Sequence, residues 1–586
     1  MKNNFNKTND YNFILIFVIL TFSGAALLFS NTTRDLGILK KSGAQIFTLC
    51  AIISLFYYSL KNKIKISLAI EHKIFGIYII YLFFNLLTQI FSTDIIIFFS
   101  GLEMFYRFFI YFLFSVCVYN AVEKFENLKY LFFSVLVLSI IAVIYGYFQV
   151  AGYDFKLVEK YGWGNLKASF GNPQFYGAFI LNAVFINAAG IVIIKNLKYR
   201  ILAGLAIINL LIHLPPTEAR SSFLGFFCAV IFIIFMILWK IKKIRFYFAG
   251  IVFAVVTIIG ILVNIEGSFP NKIYEEIKYR FNVTEYGTGQ MRMSSYRAAL
   301  RCIYDNYFFG YGVGSYVIAD RFYRSSLYQY EGITNNELNT HSEELEIWQE
   351  SGTIGLCLYY VLLLTLYFRA IHFIFKITSY RYALALIFLI AGVISVWIQN
   401  FFDVALRFTS GAIFYWLNIS LVLIFIERKF AALEKSNTIK FEKFTNQIIL
   451  AFFGILLIFT IRYHYNNYIT NSMLQTATSY ERPDSKFYDE TGKENPKLRY
   501  KYLIEFYNKG LEHNKYDYET YYKLAHCYYS LNDYDKALEL YKKLEKFSPF
   551  YANLNYNISL CYLNKQDYNN AIYYLKREIW TNYVYI

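Results

Sequence analysis

Three short segments carry the residue types that phosphate and proton chemistry require. In "PPTEARSSFLGFF", Arg220 stands just before a long apolar run, so a helix starting there would add its N-terminal amides to the guanidinium's fork of donors. That combination suits a phosphate group. It equally suits an interfacial arginine whose head reaches lipid headgroups. In "GQMRMSSYRAALRCIYDNYFFGYGVGSY", helical spacing aligns Arg292, Tyr296 and Ala299 on one face and Arg297 with Arg301 on another. The basic face fits anion binding or plain solvation. Gly310, Gly312 and Gly314 follow without a preceding strand, so they are read as a tight turn and not as a dinucleotide loop.

The third segment is "NTHSEELEIWQESGTIGL". Thr340 and Glu343 have the spacing of a capping box, which predicts a helix start with His341 in its first turn. A helix N-terminus disfavours imidazolium, leaving His341 neutral and able to accept a proton. A lone histidine is also an ordinary structural residue. Glu343, Glu344 and Glu346 are expected to be solvated or cap-forming, with any one of them able to orient the imidazole. His72, His213, His372, His464, His513 and His526 lack such a setting, although His213 adjoins the Arg220 segment.

The elements that must hold these segments are membrane helices. Of 586 residues, 57% are hydrophobic and 17% charged, too few polar residues to cover a soluble protein of this length. The apolar residues form blocks, such as "YLFFSVLVLSIIAVIYGYF" from Tyr130, long enough to cross a hydrocarbon core. The 57 Lys+Arg against 41 Asp+Glu give a net charge of +16, but the basic residues gather in short loops without base-stacking aromatics, which argues against nucleic acid. The seven cysteines show no CxxC and no cluster, so neither a disulfide framework nor a zinc site is expected. The N-terminal apolar run is too long for a signal peptide and reads as a first span.

An all-α fold follows, a polytopic bundle of roughly 12–13 spans. They are expected near 12–30, 43–60, 74–93, 103–121, 130–150, 174–194, 199–215, 221–239, 244–264, 352–375, 381–401, 410–427 and 446–463. Basic loops after spans two, six, eight and twelve share one parity, which makes that side and the N-terminus cytoplasmic. The loop after span one breaks the trend with Arg34, Lys40 and Lys41. Residues 1–264 are thus expected as a first bundle segment, 265–351 as a large periplasmic loop, 352–463 as the last four spans, and 464–586 as a tail. The tail shares the periplasmic side if 446–463 crosses, and is cytoplasmic if it does not.

That tail repeats at a period of 34 residues: Tyr522, Leu524, Cys527, Tyr528, Asp533, Tyr534 and Ala537 recur as Tyr556, Ile558, Cys561, Tyr562, Asp567, Tyr568 and Ala571. The period and the small residues at helix contacts resemble tetratricopeptide repeats, and 500–512 reads as the second helix of an incomplete earlier unit. Such tails bind peptides or partner proteins, or serve as passive appendages. Cys527 and Cys561 are expected as small buried residues.

Taken together, "FGNPQFYGAFI" at 170–180, "TEARSSF" at 217–223, "MRMSSYRAALRCIYDNYFFGYGVGSY" at 291–316 and "THSEELEIWQESGTIGL" at 340–356 resemble the O-antigen ligase/polymerase family over roughly residues 12–430. The resemblance implies glycan transfer from an undecaprenyl-pyrophosphate carrier at the periplasmic face of the bacterial inner membrane. The implied acceptor is a lipid A-core sugar in ligases, a further repeat unit in polymerases, and a protein hydroxyl in relatives. It implies Arg220 and Arg292 as pyrophosphate-binding residues, His341 as base, and Tyr296, Arg297 and Glu344 as supporting residues. Tyr296 stands where the family usually has Trp, and Ser342 replaces the customary asparagine. No cofactor or metal is implied, and neither a DxD-like nor a Walker motif occurs in an outer loop. A transporter of lipid-linked sugar would need polar residues along a path through the spans, which are nearly free of charge.

Overall fold

The computed structural model describes residues 2–30, 32, 33, 35, 37–61, 64–91, 95–153, 165–240, 288–323, 339–430, 438, 439, 442–481, 487, 496–549, 551 and 553–581. The expected span 244–264 and Arg34 lie outside them. The helices run α1 (Lys2–Leu27), α2 (Ile38–Leu60), α3 (Ile70–Thr88), α4 (Ile95–Ala121), α5 (Leu128–Val150), α6 (Pro173–Ile193), α7 (Leu197–His213) and α8 (Arg220–Lys240). After these come α9 (Thr288–Asp305), α10 (Tyr316–Tyr323), α11 (Glu343–Lys376), α12 (Tyr380–Asn400), α13 (Thr409–Ile424) and α14 (Lys443–Glu481). The tail holds α15 (Pro496–His513), α16 (Tyr518–Ser530), α17 (Tyr534–Phe547), α18 (Leu554–Asn564) and α19 (Tyr568–Thr581). A two-residue antiparallel pair, Ile66–Ser67 with Thr438–Ile439, is the sheet among the described residues.

Eleven described helices are long and apolar enough to cross a membrane, and Phe13–Leu27 is a shorter apolar helix at the first expected span. This is a multi-pass membrane protein. Helix α13 is its axis: every residue from Thr409 to Ile424 is buried, packed by α1, α4, α6 and α12. Between helices in lipid, close packing and interhelical hydrogen bonds replace hydrophobic exclusion as the cohesive force. Ser420 pairs with Ser115 at 2.9 Å, and Asn418 donates to Asn182 at 3.3 Å.

The spans alternate, so the ends of α1, α3, α5, α7 and α12 meet the starts of α2, α4, α6, α8, α11 and α13 at one end of the bundle. The opposite end is closed by Arg369 between Glu71 and Glu427, and by Arg428 on Ser67 at 3.0 Å. There, too, Lys240 at the end of α8 bonds the carbonyls of Ile374 and Ile377. The basic loop after the first span is accounted for internally. Lys40 is buried with its ammonium on the Ala26 carbonyl at 2.8 Å, and Lys41 pairs with Glu103.

Helix α14 continues past residue 463 to Glu481, so no structural break separates the last span from the tail. Its C-terminal half packs with α15 and α16 around Leu474, Ala477, Leu503, Tyr507, Leu524 and Cys527. The incomplete first repeat is therefore built from the end of a span and α15. Tyr516 stacks near Phe99 at the start of α4, with ring centroids 5.1 Å apart, which seats the tail at the first end of the bundle. Cys527 and Cys561 are buried, as small contact residues should be.

Candidate functional site

At that same end, five segments distant in sequence converge. Helix α9 carries Arg292 and Tyr296 one turn apart, so both side chains leave the same face. The Tyr296 hydroxyl donates to the His341 carbonyl at 3.2 Å, and Arg292 Nη1 donates to the Phe402 carbonyl at 3.3 Å. Next to Phe402 lies Asp403, fully buried. With its amide oriented to satisfy both neighbours, Gln174 donates to Asp403 Oδ1 at 2.9 Å and accepts from Arg292 Nη2 at 3.0 Å. Ser221 and Gln399 each reach Asp403 Oδ2 at 3.4 Å. Burial pushes the Asp403 carboxyl above the ordinary aspartate range, against the Val404 amide, Arg292, Gln399 and His341, which all favour the anion.

Arg220 is the first residue of α8, exposed, and directly precedes the Ser221 that touches Asp403. Arg292 thus borders this polar centre, and Arg220 adjoins it in the chain through Ser221. His341 is half-buried there. Arg297 is exposed, and Glu344 is buried beside Trp397. His213 packs its ring on Tyr147 and takes a 2.8 Å bond with Tyr176, a structural setting.

The start of α11 differs from the capping box expected. The N-cap is Ser342, whose hydroxyl accepts from Leu345, and His341 precedes it with a left-handed φ of 60°. His341 therefore stands outside the first turn. A non-glycine residue in this region costs roughly 1 kcal/mol or more and needs outside support. Thr340 supplies part of it. Its hydroxyl accepts from the Ser342 amide at 3.0 Å and faces the Ser342 carbonyl at 2.6 Å, while its own amide donates to Glu346 Oε2 at 2.9 Å.

Glu343 and Glu346 are not solvated either. With Glu350 they occupy one buried face of α11 around Arg407, at 3.2, 3.1 and 3.0 Å respectively. One guanidinium offsets a single negative charge, so three carboxyl groups buried around it cannot all ionise together. Arg107 Nη1 in turn donates to the Arg407 carbonyl at 2.8 Å. Sequence reading missed Gln174, Asp403 and Arg407. The signal was present in "NFFDVALRF", where an aspartate and an arginine four apart interrupt two apolar runs.

The glycine-rich segment is a turn, as expected. Gly310, Gly312 and Gly314 all have positive φ, and α11 is kinked at Gly352, φ 65°. A side chain at Gly352 would strike the Phe308 carbonyl, so the loop and the kink require glycine to approach. The amides of Tyr311 and Gly312 are spent on the carbonyls of Gln349 and Glu350 at 3.0 and 2.8 Å, leaving them no role in cradling an anion.

Residues 205–360 match the O-antigen ligase family model, and residues 518–551 match the tetratricopeptide repeat. No curated protein matches the chain. The chain therefore carries an O-antigen ligase domain, containing Arg220, Arg292, Tyr296 and His341, and a repeat tail of the kind that contacts proteins. A glycosyl-transfer role of ligase or polymerase type, acting on a lipid-linked glycan and an acceptor, is supported by that domain.

Proposed function

We propose that this protein transfers a glycan from an undecaprenyl-pyrophosphate carrier to a hydroxyl of a lipid A-core acceptor, with inversion and without a metal. The membrane is the bacterial inner membrane, the N-terminus is cytoplasmic, and the site and tail face the periplasm. The orientation rests on the basic residues that crowd the opposite end of the bundle.

The observation that carries this reading is the convergence of Arg292, Tyr296, His341 and Asp403, with Arg220 at the edge. Arg220 and Arg292 stabilise the charge that develops on the departing undecaprenyl pyrophosphate. His341 removes the acceptor proton as the hydroxyl oxygen attacks the anomeric carbon; the bond to the pyrophosphate oxygen breaks and the carrier leaves with its electron pair. A charged Asp403 and the imidazolium favour one another.

The test is His341→Ala in the full-length protein, assayed with lipid-linked donor and lipid A-core acceptor. Loss of transfer by about 10²-fold or more with normal membrane insertion is expected; an active variant sinks the reading.

The repeat tail at the site end favours a second acceptor, a protein hydroxyl. Glycan profiling of a deletion strain separates the readings: unattached polymer marks a ligase, single-repeat glycans a polymerase, and lost glycoproteins a protein transferase. Ala537→Glu, which buries a charge in the repeat core, should abolish transfer only where the tail delivers the acceptor.

A further inference from the structure

We propose that Thr340, held by Glu346 and through it by Arg407, is a positioning residue that presents His341 for proton transfer. This deepens the reading above and rests on it. The contacts form an unbroken chain. Arg407 Nη1 lies 3.1 Å from Glu346 Oε1, and the second carboxylate oxygen, Oε2, accepts from the Thr340 amide at 2.9 Å and lies 3.1 Å from its hydroxyl. That hydroxyl closes over His341 to the amide and carbonyl of Ser342. From the other side, the Tyr296 hydroxyl holds the His341 carbonyl.

These bonds fix the backbone on both flanks of His341 and leave its ring outside the clasp. They are not what caps α11, because the Ser342 hydroxyl already accepts from Leu345. What the clasp does is hold one residue in a left-handed conformation that histidine adopts seldom. The anchors are rigid: Arg407 and Glu346 are each 1% exposed, and Arg407 is further shared with Glu343 and Glu350. A base whose direction is set before substrate arrives loses no orientational freedom at the reaction step. Thr340 touches neither donor nor acceptor in this scheme, so its effect belongs to turnover and not to donor binding.

The experiment compares Thr340→Val, which keeps the β-branched shape and deletes the hydroxyl, with Thr340→Ser, which restores it. Arg407 and Glu346 are unsuited as first tests, since removing a member of a buried ion cluster can prevent folding. Purified full-length protein is assayed with undecaprenyl-pyrophosphate-linked oligosaccharide and lipid A-core, alongside His341→Ala. Thr340→Val should lower kcat by ~10-fold or more with the donor KM within about two-fold of wild type, and Thr340→Ser should recover most of kcat. Wild-type kcat in Thr340→Val, or a loss that serine does not rescue, overturns the clasp while an inactive His341→Ala leaves the base assignment standing. An active His341→Ala overturns both.

Discussion

Arg407 Nη1 lies 3.0 Å from Glu350 Oε2, tying the loop between two spans to the helix that follows His341. Glu343 and Glu346 complete the set, so the cluster locks α11 against the start of α13 at the end of the bundle where the proposed chemistry sits. It explains how a half-buried histidine can be held steady next to a loop.

Replacing Arg407 with Met should destabilise the protein by about 3–5 kcal/mol, because the one positive charge among three buried carboxyl groups is lost. Adding Glu343→Gln, Glu346→Gln and Glu350→Gln to that variant should recover part of the loss. Thermal unfolding in detergent reads both, and equal stability of the single variant and the wild type would show the cluster to be idle.

Arg292 spends separate nitrogens on the Phe402 carbonyl and the Gln174 amide, a fork that lysine cannot reproduce. Arg292→Ala should cost transfer about 10²-fold or more, and Arg292→Lys should recover only a minor part of it despite the retained charge. Full rescue by lysine in the purified assay would mean that charge alone matters there.

Burial raises the Asp403 carboxyl above its unfolded value, so the folded protein holds this proton more tightly than the unfolded chain. The stability contributed is present below the unfolded value and is lost as pH rises through the folded one. Asp403→Asn should remove that slope, flattening the dependence of melting temperature on mildly acidic pH. An unchanged slope would assign it to other carboxyls.

The spans, the tail and the start of α9 were legible in the sequence because each is local. An apolar run of membrane length needs no partner to be recognised, and the 34-residue period shows in the chain itself. Arg220 and His341 stand out in the sequence as residue types beside apolar runs, and Arg292 by its helical spacing to Tyr296. Glu343, Glu344 and Glu346, expected to be solvated or cap-forming because charge usually seeks water, are all buried, and the arginine beside Glu343 and Glu346 lies on another loop. The capping box failed for a similar reason. Thr340 turns its hydroxyl back on Ser342, and Glu343, the residue such a box requires, lies instead against Arg407.

By itself, then, the sequence determined that this is a multi-span helical membrane protein with a repeat tail. Hydropathy and periodicity suffice for that. Only the tertiary structure decided that His341 adopts a left-handed backbone outside its helix. Only the fold brings Asp403 and Gln174 up to Arg292, and seats the tail by Phe99 at the same end. Those relationships depend on how separate spans are rotated and packed against one another, and no local pattern of residues carries that information.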